Sequence, residues 1–181
     1  MKSGWAAAVL IEGSAAAPRV AASRRVEISD PDIPDARQPY HAGFGTARDA
    51  GDELKRLVAS VKSYGGNSIG SLLEEFQGDH SLRRAGVVVG ILIDPKTIGN
   101  DHIRIHAMEG RLFREVVIEA AEKQGLKCAV NRERDLYAEA AKKLKKTEAA
   151  IRKILGEIGR GVDGGWRAEQ KAAALSAWML L

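Results

Sequence analysis

Cysteine is almost absent: the 181-residue chain has one, Cys128. A lone thiol excludes an intramolecular disulfide and suits a reducing compartment. Cys128 falls in an apolar segment with no evident base beside it, so it reads as core rather than nucleophile. Long apolar runs are also missing. None approaches the roughly 18 residues that a membrane-spanning helix needs, and a cytoplasmic protein is expected. Residues 5–11 look like a short signal core behind Lys2, but Glu12 interrupts them and a strand fits better. Proline is scarce, and three of its five copies fall within 29–50. Charge of one sign is barely in excess: the net charge is +4, and residues 101–181 supply all of it. That bias permits an anionic partner without demanding one.

What is present fits one α/β domain over residues 1–181. Residues 5–12 and 19–28 alternate as two strands of a hairpin, with Val20, Ala22, Arg24, Val26 and Ile28 on one face of the second. Residues 29–50 read as a long Pro-rich insertion, a lid or a disordered loop, in which Tyr40, His41 and Phe44 are unusual for a mere linker. Helices are expected over 49–62 and 69–77, separated by Tyr64-Gly-Gly-Asn67. Residues 85–93 form a continuous apolar run ended by Asp94-Pro95, as in a strand buried on both faces. A long helix over about 100–124 and a strand over 127–131 complete a strand–helix–strand crossover. Asp135 and Thr147 look like helix caps for segments over 136–144 and about 148–158. Four glycines within 159–165 precede a final helix over 166–181. Trp166 and Trp178, placed on that helix, fit core or dimer packing, so a homodimer is compatible.

The long helix carries the most informative feature. At about 100° per residue, His102, Ile105, His106, Glu109, Phe113, Val116, Val117 and Ala120 form one stripe. His102, His106 and Glu109 thus extend an apolar face toward the helix N-terminus, beside the strand end where α/β sheets commonly bind ligands. A buried Glu calls for a partner or a role. The i,i+4 histidines can seat a metal if His41, His80 or Asp94 is brought near. Glu109 is also a candidate general base beside His106. Hydrogen bonding of this cluster to loop backbone is the plainer alternative, as a strand-ending turn is for Asp94-Pro95. Lys142, Lys143, Lys145, Lys146, Arg152 and Lys153, with Arg160, form a candidate phosphate-facing run, which can equally be a solvated helix face.

Several stretches, taken in order, resemble the ribonuclease H-like superfamily, and within it the RuvC-type resolvases. They are Gly4-Trp5-Ala-Ala-Ala-Val-Leu-Ile-Glu-Gly13 as first strand, residues 86–93 as central strand, Glu109-Gly-Arg-Leu-Phe-Arg through Gly125-Leu as long helix, residues 127–137 as the next strand and turn, and Trp166-Arg-Ala-Glu-Gln-Lys171-Ala-Ala as final helix. The resemblance implies a mixed sheet of about five strands with helices on both faces, and a protein acting on or binding nucleic acid. It also implies two divalent ions, Mg²⁺ or Mn²⁺, held by carboxylates of the first strand, central strand and final helix. This sequence departs from that pattern. Lys2-Ser3-Gly4 and Gly90 stand at two of the acidic positions. A rebuilt metal site would use Asp94, Glu109 and Glu169, with His106 and Glu109 catalytic. The alternatives are a non-catalytic binding or assembly module of the same fold, and a small-molecule enzyme using a His102/His106/Glu109 pocket under the Pro-rich lid.

Overall fold

A computed structural model describes residues 3–43, 46–48 and 50–181. Lys2, Phe44 and Asp49, each singled out from the sequence, lie outside the described residues. The chain begins with the expected hairpin, β1 (Trp5–Gly13) antiparallel to β2 (Pro18–Glu27). Side chains alternate across it as the two-residue period of a strand requires. Ala6, Ala8 and Leu10 face a first core, and Val9 and Ile11 face a second. The register slips between Leu10 and Ile11, which pair with Ala22 and Val20, so Ala21 is an extra residue in β2. This bulge switches the face that residues on either side of it present. Val20, expected beside Ala22, therefore packs in the second core.

Residues after β2 are more ordered than a linker. A 3-10 turn (Pro34–Arg37) leads to a small antiparallel ribbon of β3 (His41–Gly43) and β4 (Thr46–Ala47). Ala36 and Pro39 are buried.

A single helix, α1 (Asp52–Asp79), replaces the two expected segments. The pair Gly65-Gly66 does not break it. A Cβ at Gly65 would lie 2.8 Å from the Ile28 carbonyl oxygen and 2.9 Å from Val116 Cγ1. The glycine is therefore there for close packing, and tertiary contact overrides its weak helix propensity.

β5 (Arg84–Val89) pairs in parallel with β6 (Lys127–Arg132), joined by α2 (Asp101–Lys123) as expected. β5 is shorter than its apolar run. All six residues of β6 are used by Arg84 through Val89, and β6 then enters a 3-10 turn (Glu133–Asp135). Ile91, Leu92 and Ile93 have no strand to pair with and are exposed.

α3 (Leu136–Leu144) and α4 (Glu148–Ile158) form a helical hairpin, and α5 (Ala168–Trp178) closes the fold. Thr147 caps α4 by accepting the Ala150 N–H. Asp135 makes no side-chain cap and faces Arg132 and Arg134 instead. Trp166 precedes the last helix rather than sharing it with Trp178. Its indole N–H donates to the Leu155 carbonyl at 2.6 Å, and that of Trp178 to Ala15 at 2.9 Å.

The sheet expectation needs correction. Among the described residues there is no five-stranded sheet but three two-stranded ones, β1–β2, β3–β4 and β5–β6. A groove of about 710 Å³ separates β1 from β5, lined by Ala8, Leu10, Ala85, Leu72, Phe76 and Ala177 among others. Helix α5 bridges it, packing on both β1 and β5. Helices do cover both faces. The first core places Val26, Ile28, Leu57, Val61, Phe76, Phe113 and Val116 between the hairpin, α1 and α2. The second places Ile11, Leu136, Ile151, Leu155, Leu175 and Trp178 between its other face and α3, α4 and α5. Each large apolar side chain so buried contributes about 1.5–3 kcal/mol. No helix among the described residues is long and apolar enough to cross a membrane.

Candidate metal centre

α2 is started by Asn100, whose side chain accepts the Ile103 N–H at 3.0 Å. That start puts His102 and His106 on the first two turns, one turn apart on one face. The β3–β4 ribbon lies against the same end of the helix. Its base is closed by two bonds from Arg48: its N–H donates to the Tyr40 carbonyl at 2.7 Å, and its guanidinium to the Pro39 carbonyl at 3.0 Å. The ribbon delivers His41, which lies sixty-eight residues before Glu109 in the chain.

His41, His102 and His106 converge. Each offers a ring nitrogen, and these lie within 4.8 Å of one another. The ring centroids of His102 and His106 are 4.6 Å apart, and those of His41 and His106 5.1 Å. Among the described residues this is the one group of three or more His, Cys, Asp or Glu side chains close enough to share a metal ion. In a tetrahedral site with metal–nitrogen bonds of 2.0–2.1 Å, ligand nitrogens sit about 3.3 Å apart.

Glu109 lies beneath the rings at 2 % exposure. Its Oε1 is 2.8 Å from His41 Nδ1, and its Oε2 is 3.7 Å from His106 Nδ1. Oε2 is buried without a hydrogen-bond partner. Burial pushes the Glu109 carboxyl above its ordinary range, while the His41 hydrogen bond and charge pull it down. The His106 imidazole is pushed down, first by partial burial and then by His102 and His41. A lowered imidazole is more often neutral, which keeps the His106 nitrogen lone pair available. The Tyr40 hydroxyl beside the cluster is pushed up, chiefly by burial and then by Glu115.

The other anticipated residues lie elsewhere. Asp94 lies five residues past the end of β5 and caps a 3-10 turn (Pro95–Thr97): its Oδ1 accepts the Lys96 N–H at 3.1 Å. Glu169, on the first turn of α5, borders an 80 Å³ cavity with Ala6, Ala7, Gly86 and Glu133. Asp94, Glu109 and Glu169 do not gather into one ligand set. The oxygen-rich shell that Mg²⁺ or Mn²⁺ prefers is therefore not built from these three, and the residues do not fit a two-ion carboxylate site. His80 pairs with Glu12, which also binds Arg19, away from the histidine cluster. Lys142, Lys143, Lys145, Arg152 and Lys153 are exposed on the α3–α4 hairpin, and Lys146 is half-buried. Arg152 stacks over Tyr137 at 3.8 Å and reaches Glu148 at 3.5 Å. The five lysines make no ion pair among the described residues.

The helix spacing made His102, His106 and Glu109 legible. His41 had no local signal beyond being a histidine in an unusually aromatic loop, because its partnership is set by where the ribbon lands.

Fold and site together define an α/β protein with a three-histidine cluster anchored by a buried carboxylate. No family model matches the sequence, and no curated protein is similar to it. A solved structure described as T. thermophilus RuvC in complex with a Holliday junction substrate aligns with 97 % of this chain and 91 % of its own. The identity is 14 % and the TM-score 0.49.

Proposed function

We propose that the protein is a metal-dependent enzyme whose centre is His41, His102 and His106. The observation that carries this reading is the convergence of three imidazoles over one buried carboxylate. Imidazole ligands suit Zn²⁺, Ni²⁺, Cu²⁺ or Fe²⁺ better than Mg²⁺. Structural zinc sites are closed by four protein ligands, whereas catalytic ones keep three and leave a position open. Here His102 and His106 are exposed, so the open side faces solvent. A bound ion of this kind supplies Lewis-acid polarisation and a lowered water pKa. The chain's own contribution is orientation. By accepting from His41 Nδ1, Glu109 fixes the tautomer that leaves Nε2 for the metal, while its second oxygen lies 3.7 Å from His106 Nδ1 without a hydrogen bond. Such carboxylate–histidine partners typically change metal affinity by about 10–100-fold.

The test is calorimetric titration of metal-free protein with Zn²⁺ and Co²⁺. One ion per chain is expected, with affinity reduced by at least 100-fold on replacing any of the three histidines by Ala. Glu109→Gln should weaken binding by about 10–100-fold, and His80→Ala should leave it unchanged. Weak binding of several ions, unaffected by the histidine substitutions, would sink the proposal.

A second reading concerns the substrate. The unpaired lysines of the α3–α4 hairpin favour nucleic acid as the molecule held or acted on, because exposed cationic side chains are what a phosphate backbone engages.

A further inference from the structure

β1 and β5 turn their edges toward each other across the groove of about 710 Å³. Every residue from Ala6 to Gly13 borders it, and so does every residue from Arg83 to Val87. Successive side chains of a strand point to opposite faces. A wall built from consecutive residues is therefore the edge of a strand, not one of its faces. The other edge of β1 is paired with β2, and the other edge of β5 with β6. A strand edge offers a row of backbone N–H and C=O groups to whatever lies beside it. Glu12, near the end of β1, pairs with His80, just before β5 begins, while Ala6 and Ala7 share a small cavity with Gly86 and Val87. The two walls thus run in opposite directions.

Above and below, the groove is apolar. α1 supplies Leu72 and Phe76, α2 supplies Val117, and α5 supplies the small Ala173 and Ala177. A hydrocarbon occupant would suit those side chains, but it would strip water from two rows of backbone groups without pairing them, which is unfavourable. An extended polypeptide satisfies both surfaces, with its backbone toward the walls and its alternating side chains toward the helices. One residue of a strand covered on both faces fills a block of about 3.3 by 4.8 by 10 Å, roughly 160 Å³, so the groove holds about four. The mouth beside His80 is cationic. Arg19, Arg83 and Arg84 are exposed there, and Glu12 is the one acidic side chain among the described lining residues.

We propose that this groove binds an extended segment of a partner protein, about four small or branched apolar residues flanked by Asp or Glu, as a strand between β1 and β5. The guest lies parallel to one wall and antiparallel to the other, and completes a mixed sheet in the order β2–β1–guest–β5–β6. Main-chain hydrogen bonds supply affinity, the apolar helix faces select the side chains, and the acidic flank places its end at the arginines. The groove shares no residue with the histidine centre, so the inference stands apart from the metal reading.

Calorimetric titration of the full chain with two synthetic peptides tests this. One is Val-Ala-Val-Ala followed by Asp-Glu, the other the same residues in reverse order, both blocked at their ends. One of them should bind, one per chain. Methylating alternate amide nitrogens removes strand donors and keeps the side chains, and should weaken binding at least about ten-fold. Arg83→Gln combined with Arg84→Gln should weaken it by about 2–10-fold at low salt and hardly at all at about 1 M salt. Peptide should shift the backbone amide resonances of Ala8, Leu10, Ala85 and Gly86 and leave those of α4 in place. Failure of both peptides to bind overturns the proposal, and so does equal affinity of the methylated form. Dodecanoate binding in preference to either peptide would make the groove a site for an acyl chain and also overturn it, as would resonance shifts confined to residues outside β1 and β5.

Discussion

Glu109 and Cys128 show how differently burial acts on two ionisable side chains. Glu109 is buried deep on the stripe of α2, and its desolvation is only partly offset by an imidazole partner at 2.8 Å. Cys128 is half-buried in β6 and has no such partner. Burial, followed by the charge of Glu122, pushes its thiol up. A raised pKa means less thiolate at a given pH, and the thiolate is the reactive form. Cys128 should therefore alkylate with iodoacetamide at pH 8 more slowly than free cysteine, and at the free-cysteine rate in denaturant. Fast labelling of the folded protein, followed by mass spectrometry, would contradict the burial described for this strand. The core position read for Cys128 from its apolar surroundings is met only in part, since the side chain is half-buried, whereas the partner of Glu109 could not be chosen among His41, His80 and Asp94 without the fold.

At the scale of elements, α1 is the clearest case of packing deciding local structure. Two adjacent glycines look alike in the sequence but have opposite surroundings. Gly65 faces the Ile28 backbone and Val116, while Gly66 meets nothing within 4 Å. Gly66→Ala should stabilise the protein by about 0.5–1 kcal/mol, the usual gain on removing glycine from a helix interior. Gly65→Ala has the same propensity gain, but it forces a methyl against backbone, and overpacking costs about 1–3 kcal/mol. The net effect should be destabilisation. Urea denaturation midpoints of the two variants should move in opposite directions. A shift of both in the same direction would mean that Gly65 does not mark a close approach of α1 to β2 and α2. The same element-scale logic shortens β5, whose apolar run outlasts its partner β6, and turns Val20 to the second core through one bulged residue.

At the scale of the whole molecule, two cores sandwich the β1–β2 hairpin, and charge is distributed unevenly around them. The histidine centre lies with the first core and the lysine hairpin with the second, so metal and polyanion binding should be separable. Changing Lys142, Lys143, Lys145 and Lys153 to Gln should weaken binding to duplex or branched DNA. It should also reduce the steepness of its salt dependence by up to about 0.9 for each phosphate that is no longer neutralised. Fluorescence anisotropy across a salt series measures both. Zn²⁺ affinity should be the same in this variant. An unchanged salt slope would remove the lysine hairpin from the nucleic-acid reading.

The amino-acid sequence by itself determined the elements whose signals are local. The α2 stripe, its Asn100 start, the Thr147 cap, the opening hairpin and the parallel β5–β6 pair all arise from periodicity, capping chemistry and turn residues acting over a few positions. It also placed His102, His106 and Glu109 on one face, because helical geometry fixes what is three and four residues apart. Tertiary structure alone decided what depends on residues far apart in the chain. It kept α1 whole across Gly65, left β1 and β5 on opposite sides of a groove bridged by helices, and set Trp166 outside the last helix. It brought His41, rather than His80 or Asp94, to Glu109. Each of these outcomes depends on which surfaces meet, and a buried glycine, an unpaired strand edge or a lone loop histidine carries no local mark of the surface it will meet.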